Sequence, residues 1–288
     1  MKNIETATSV ERKEFGKNVH VVLEFLRHAT PGKNPDGTSA DFITEGGKEM
    51  AKELGKTRPE EEKIAGYSSP AKRAQETGDL YLDNTDESIE VINRKLSEIP
   101  AGYPKQKEGN TFRMKTKQEL APVAGFAKIM PLAQAYAKEQ KEAGSKTDAL
   151  THIIQFYLDN PELCRENGVD LPRDSASAIA YRVATELRMT ERLYEDTDIR
   201  LINVSHGPKL EPFLKEIVGF EKLEDIGGAV KEGEGLQFEV DIDDQKNKKV
   251  TLVFRDKKYE LTPRQIDTIS ELSEEYKEKM KGEKEKTQ

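Results

Sequence analysis

Two of the four histidines in the chain stand just beyond apolar runs, each in the company of residues able to work with it. His28 follows Arg27 at the end of "VHVVLEFL", and His206 follows "LINVS" and precedes Gly207 and Pro208. Arg73 lies one turn into the helical pattern of "PAKRAQET". An arginine offers a planar fork of donors that matches the oxygens of a phosphoryl group in pairs. A neutral imidazole can attack an electrophile or carry a proton. Either histidine taken alone fits equally well as a hydrogen-bonding partner for a loop. Two of them at strand ends, with two arginines, point to one pocket for an anion.

The elements that must position these residues are readable from periodicity. Short β-rich runs alternate with amphipathic helical patterns, which predicts an α/β fold: a three-layer sandwich with a mostly parallel central sheet flanked by helices. Residues 19–26 are almost continuously apolar, as a central strand buried on both faces requires. Thr44 is placed to cap a helix through "EGGKEMAKELGK". A strand at 64–67 leads into a helix from about 70 to 82, with Pro70 where the first turn tolerates it. Further strands are expected at 89–92 and 199–204, and a helix follows near Pro208. In an open sheet of this kind, ligands bind beyond the C-terminal strand ends, where Arg27, His28, Arg73 and His206 fall.

The stretch from about 104 to 173 has helical spacing and little β-branched patterning, and is read as a helical insertion over the sheet. A helix over about 174–195 returns to the main fold, "LQFEV" and "VTLVF" form a hairpin, and a last amphipathic helix starts after Thr262 and Pro263. Residues 1–17 are expected to be flexible, 18–282 to form a single domain, and 283–288 to be a disordered tail.

The bulk numbers narrow the function classes. With 46 basic and 54 acidic residues the net charge is −8, the wrong sign for a general nucleic-acid or anionic-membrane surface. The single cysteine, Cys164, excludes an internal disulfide and a cysteine metal cage. No apolar run reaches membrane-spanning length and the first residues lack a signal-peptide core, so a cytoplasmic protein is expected. No metal-ligand spacing is seen and no cofactor is expected; the partner is a small phosphorylated substrate or a phosphoprotein. Oligomeric state is not legible. Lys105, Lys107, Arg113, Lys115 and Lys117 read as a solvated basic run, and His20 and His152 as residues without a catalytic role.

In order along the chain, several segments resemble the histidine phosphatase superfamily, the phosphoglycerate-mutase-like proteins. Arg27-His28-Ala29 is similar to its Arg-His-Gly signature, and Asn34 stands six residues past the histidine as it often does there. "ITEGGKEMA" resembles the helix start Leu-Thr-x-x-Gly-x-x-Gln-Ala, and "YSSPAKRAQET" the segment that delivers a second phosphate-binding arginine, here Arg73. "LSEIPAG" resembles the stretch with the proton-donating glutamate, here Glu98. Ser175 and Arg182 keep the spacing of the Gly-Glu-Ser helix, with Arg173 and Asp174 in place of the glycine and glutamate. "NVSHG" matches the second histidine signature.

The resemblance implies phosphomonoester hydrolysis without a metal. His28 would form a phosphohistidine, Arg27, Asn34, Arg73, His206 and Gly207 would hold the phosphoryl group, and Glu98 would protonate the leaving oxygen. The branch implied is the phosphatase one, with Gly207 rather than aspartate after the second histidine. This chain departs from the pattern at Ala29, at Pro31, where many members have threonine or serine, and at Pro208, which lacks an N–H. Two alternatives stay open: a phosphoglycerate-type mutase, disfavoured by the absence of tryptophan, and a catalytically weak phosphate-binding or regulatory protein.

Overall fold

Side chains of a strand point alternately to its two faces. In β1 (Val19–Arg27) the residues Val19, Val21, Leu23 and Phe25 enter one hydrophobic core while Leu26 enters another. A strand buried on both sides must lie inside a sheet that is covered on both sides. The computed structural model describes residues 14–35, 39–92, 94–95, 111–112 and 114–287.

After β1 come the short strands β2 (Pro31–Lys33) and β3 (Ser39–Ile43), then α1 (Glu45–Thr57), β4 (Lys63–Ser68) and α2 (Lys72–Asp83). Four further short strands follow, β5 (Glu90–Val91), β6 (Arg94–Lys95), β7 (Thr111–Phe112) and β8 (Met114–Thr116). Next are α3 (Met130–Glu142), α4 (Ala149–Asp159), α5 (Pro161–Glu166) and α6 (Pro172–Thr190). The remainder is β9 (Asp198–Ser205), α7 (Gly207–Val218), β10 (Gly235–Ile242), β11 (Lys248–Phe254), β12 (Lys257–Glu260) and α8 (Pro263–Thr287).

The main sheet runs β12-β11-β10-β1-β9-β4-β5, with β8 also paired to β4. Its centre is parallel: β1 with β9, β9 with β4, and β4 with both β5 and β8. Strands β10, β11 and β12 continue it antiparallel on the β1 side. One face packs on α6, α7 and α8 through Ile179, Val183, Phe213 and Leu272. The other packs on α1 and α2 through Leu54, Ala74, Tyr81 and Leu82. These are the three layers expected from the sequence. Thr44 caps α1 as expected, its hydroxyl accepting from the Gly47 N–H at 3.0 Å.

Three boundaries differ from the sequence reading. Residues 114–116 belong to the sheet through β8 rather than to the helical insertion; a three-residue edge strand carrying Lys115 has no period to betray it. The rest of the described insertion, α3 to α5, builds its own small core from Val123, Ile129, Tyr157, Cys164 and Val169. The tail expected to be disordered from 283 continues α8 to Thr287. Its Glu/Lys-rich sequence favours helix, and Lys279 pins that helix to Asp170 at 3.0 Å and Asp174 at 3.3 Å. Of the segment expected to be flexible, residues 1–13 lie outside the described residues. Phe15 is fixed by a bridge to Tyr194 and a ring stack at 4.8 Å.

Under the α1–α2 layer, β1 carries a fully buried carboxylate, Glu24. It accepts from Arg58, from Arg200 Nη1 at 2.9 Å and from the Tyr81 hydroxyl at 2.8 Å. Arg200 turns its other donors to Glu61 at 2.7 and 3.0 Å. Burial pushes the Glu24 carboxyl up, but the two guanidinium groups outweigh it and hold the group below the usual carboxylate range. Removing one partner of such a set strands the others without water. Arg200→Leu is therefore expected to lower unfolding free energy by about 3–5 kcal/mol, read from urea denaturation. A loss under about 1 kcal/mol would show the set to be screened as a surface pair is.

Candidate active site

Because β1, β9 and β4 are parallel neighbours, their C-terminal ends open on one edge of the sheet. The ladder pairs Arg27 with Ser205, so His28 and His206 leave the sheet side by side. The His28 N–H is tied to the Ser205 carbonyl at 3.0 Å, and the Ser69 N–H to the Val204 carbonyl at 2.8 Å. The two imidazole centroids lie 4.9 Å apart at 66°. Arg73, in the first turn of α2, spans both rings. Its Nε donates to His28 Nε2 at 3.1 Å and its Nη2 lies 3.5 Å from His206 Nδ1.

These contacts fix the tautomers, because a guanidinium only donates and a carbonyl only accepts. His28 Nδ1 is 2.8 Å from the Ala29 carbonyl, so Nδ1 carries the proton and Nε2 keeps its lone pair. His206 accepts from Arg73 at Nδ1 and donates from Nε2 to the Ser69 hydroxyl at 2.8 Å. Burial, then the charges of Arg73 and Arg27, push the His28 imidazole down to about 3. Burial and the neighbouring His28 and Arg73 push His206 well below its ordinary value. Both rings are neutral at pH 7.

Arg27 is nearly buried and already engaged. Its Nη2 donates to Glu232 Oε1 at 2.6 Å and its Nη1 to the Val230 carbonyl at 2.7 Å. The N–H of Val230 in turn donates to Glu211 at 3.0 Å. Burial pushes the Glu211 carboxyl up to about 8, so it is protonated at neutral pH and leaves Glu232 as the charged partner of Arg27. Gly207 opens α7 directly against this guanidinium. A Cβ at position 207 would meet Arg27 Nη1 at 2.9 Å and Cζ at 3.1 Å, which explains why the position is glycine. The Ala29 methyl is accommodated with Ile43 and Ala51 in a small apolar cluster.

Arg27, His28, Arg73, His206 and Gly207 thus line one cleft of about 250 Å³. Asn34 does not join them: it is exposed, and its amide donates to the Ser39 carbonyl at 3.4 Å across the β2–β3 hairpin. Glu98 lies outside the described residues. Ser175 and Arg182 are buried away from the cleft. Ser175 bonds the Tyr157 hydroxyl, and Arg182 covers the Tyr67 ring at 3.7 Å while bonding Asn203 and Glu186. Sequence reasoning missed Glu232, a charged loop residue 205 positions from its partner, and Ser69, the acceptor that orients His206. The serine was visible inside "SSPAKRAQET"; nothing in the sequence marked Glu232.

The segment 23–127 matches the family model of the histidine phosphatase superfamily, branch 1. That segment is similar to the histidine phosphatase superfamily, and it holds Arg27, His28 and Arg73. The match ends before His206, whose place beside His28 rests on the β1–β9 register. No curated protein matches the chain. Among solved structures, mycobacterial glucosyl-3-phosphoglycerate phosphatase is 14% identical, with 82% of this chain and 97% of that chain covered and a TM-score of 0.43. Mycobacterial hydrolase 2 is 13% identical over 88% of this chain and 97% of its own, with a TM-score of 0.45. Phosphoserine phosphatase from Entamoeba histolytica, solved as a variant with phosphoserine, is 13% identical over 76% and 90%, with a TM-score of 0.43.

The depressed histidines have a consequence for stability. Above the ordinary value of 6.5 the His28 imidazole is neutral in folded and unfolded chains alike. As pH falls below that, the unfolded chain takes up a proton that the folded one refuses until near 3, so stability is lost across that window. Urea stability is expected to fall between about pH 6.5 and 4.5, and to fall less in His28→Gln. Parallel curves for the two proteins would show that His28 titrates normally in the fold.

Proposed function

We propose that the chain hydrolyses phosphomonoesters through a phosphohistidine intermediate on His28. The observation that carries this is the lone pair of His28 Nε2, held on a neutral ring between a protonated Nδ1 and the Arg73 guanidinium. A phosphoryl dianion entering the cleft would take the Arg73 donors and leave Nε2 free to attack. Arg27, Arg73 and the N–H at the start of α7 supply donors for its terminal oxygens, where charge spreads in the transition state, and His206 adds one by moving its proton to Nδ1 while the Ser69 hydroxyl donates to Nε2.

In the first step Nε2 forms a bond to phosphorus, the ester P–O bond breaks, and its electron pair leaves with the alcohol oxygen. Glu98 is the proposed donor of the proton that oxygen needs. In the second step water attacks the phosphohistidine, the P–N bond breaks back onto Nε2, and inorganic phosphate leaves. The Arg27–Glu232 pair favours a second reading, in which phosphate is bound but turned over slowly, because Arg27 reaches the phosphate only by giving up a 2.6 Å partner. Turnover of nitrophenyl phosphate separates the two.

His28→Ala is expected to abolish both turnover and acid-labile labelling of the protein by substrate phosphate; undiminished labelling would refute the assignment. For Glu98 the discriminating quantity is the leaving group. Glu98→Gln is expected to slow hydrolysis of alkyl phosphates by about a hundredfold, whereas nitrophenolate departs without help and its ester should lose far less. Equal losses for both esters would remove Glu98 from proton transfer.

A further inference from the structure

The cleft has two chemically different halves. Among the described residues its polar lining is Arg27, His28, Ser39, Arg73, His206 and Glu232, and the first five apart from Ser39 are already committed to the phosphoryl site or to each other. The other half comes from the insertion: Val123, Phe126, Met130, Leu150, Ile153 and Ile154. Phe126, Met130, Leu150 and Ile153 are only half-buried, although Leu150 adjoins the main core and Phe126 the core of the insertion. Concave apolar surface left open beside a few convergent polar groups is how small-molecule sites are built. The phosphoryl end of a substrate is fixed by the arginines and histidines, so its alcohol end must lie along whatever else lines the cleft.

That wall offers no side-chain amide, hydroxyl or carboxylate to a polyol, and the described lining holds no cation beyond Arg27 and Arg73 for a second phosphate. A sugar hydroxyl pressed against it would lose its water without gaining a partner, whereas a hydrocarbon would gain from leaving water. Glu232, the remaining charge of the described lining, would repel a second anionic group. From this juxtaposition we infer that the substrate is a monophosphate of an apolar alcohol, aryl or alkyl, with its hydrocarbon on the wall formed by α4 and the segment from Val123 to Met130. The inference rests on the phosphohydrolase reading above.

The test is a homologous series: propyl, butyl, pentyl and hexyl phosphate, with glycerol 3-phosphate as the polyol of propyl length. With the full chain, kcat/KM is expected to rise by up to about fourfold per methylene until the wall is filled. Propyl phosphate should exceed glycerol 3-phosphate by at least about tenfold, the loss expected when hydroxyls are desolvated without partners. Ile153→Asp should flatten the series, chiefly through KM of the longer esters. Met130→Gln, at a half-buried position, should reduce the slope in the same direction if the aspartate variant fails to fold. Turnover of all five esters with no dependence on chain length, or with glycerol 3-phosphate preferred, would overturn the inference while leaving the phosphohydrolase reading intact. No turnover of any of them or of nitrophenyl phosphate, with no labelled histidine, would overturn that reading and this inference together.

Discussion

Everything at the cleft depends on one hydrogen-bonded ladder. Strands β1 and β9 run parallel in a register that ends at Arg27 opposite Ser205, and each is followed at once by a histidine. A slip of one residue would send every side chain of β1 to the opposite face. Val21, Leu23 and Phe25 would leave their core and Glu24 would leave its arginines. The register is therefore locked by the cores on both sides and by the buried charges, far from the cleft. Two imidazoles 4.9 Å apart are the visible result at the strand ends.

The same chemistry, arginine against carboxylate, is used at two depths with opposite effects. Around Glu24 the charges are enclosed and mutually satisfied, so the set is rigid and holds β1, β9 and the α1–α2 layer together. At the cleft Arg27 is enclosed but Glu232 is more open, with its side chain 29% exposed. A partner that water can reach is a partner that can be replaced. Arg73 is likewise held, by lone pairs of two neutral rings and by Asp41 at 3.8 Å, rather than by a buried carboxylate. The exposed Asp41 cancels its charge only in part.

How much of this was legible in the sequence follows from the range of the interactions involved. Strands β1, β4 and β9, the capped helix α1 and the position of Arg73 are local patterns of three to thirteen residues, and they were readable as such. Arg27, His28, Arg73 and His206 could be collected because each sits at a strand end or in the first turn of a helix, where parallel topology brings them together. Asn34 was selected by resemblance to the family's pattern six residues past the histidine, but the path of the β2–β3 hairpin turns it outward, and that path depends on pairing Pro31 with Ile43. Glu232 meets Arg27 only after β10 has joined β1 antiparallel, with Leu26 paired to Gly235. The segment that supplies it reads as an ordinary charged turn. The edge strand β8 was too short to carry a period, and the α8 terminus depended on ion pairs to residues about a hundred positions away.

The carboxylate at Arg27 would make the cleft an exchanger of anions rather than a simple receptor for them. Anything negative that approaches Arg27 must first evict Glu232, and the net gain is the difference between the newcomer and the group it replaces. A chloride or a metabolite carboxylate offers one charge for one charge and gains almost nothing, so the abundant monovalent anions of a cell are poor competitors. A phosphoryl dianion can hold Arg27 and still have charge and oxygens left for Arg73. In the proposed phosphohydrolase, selection by valence would precede any recognition of the rest of the ligand, and it would be built from a single residue of the loop before β10.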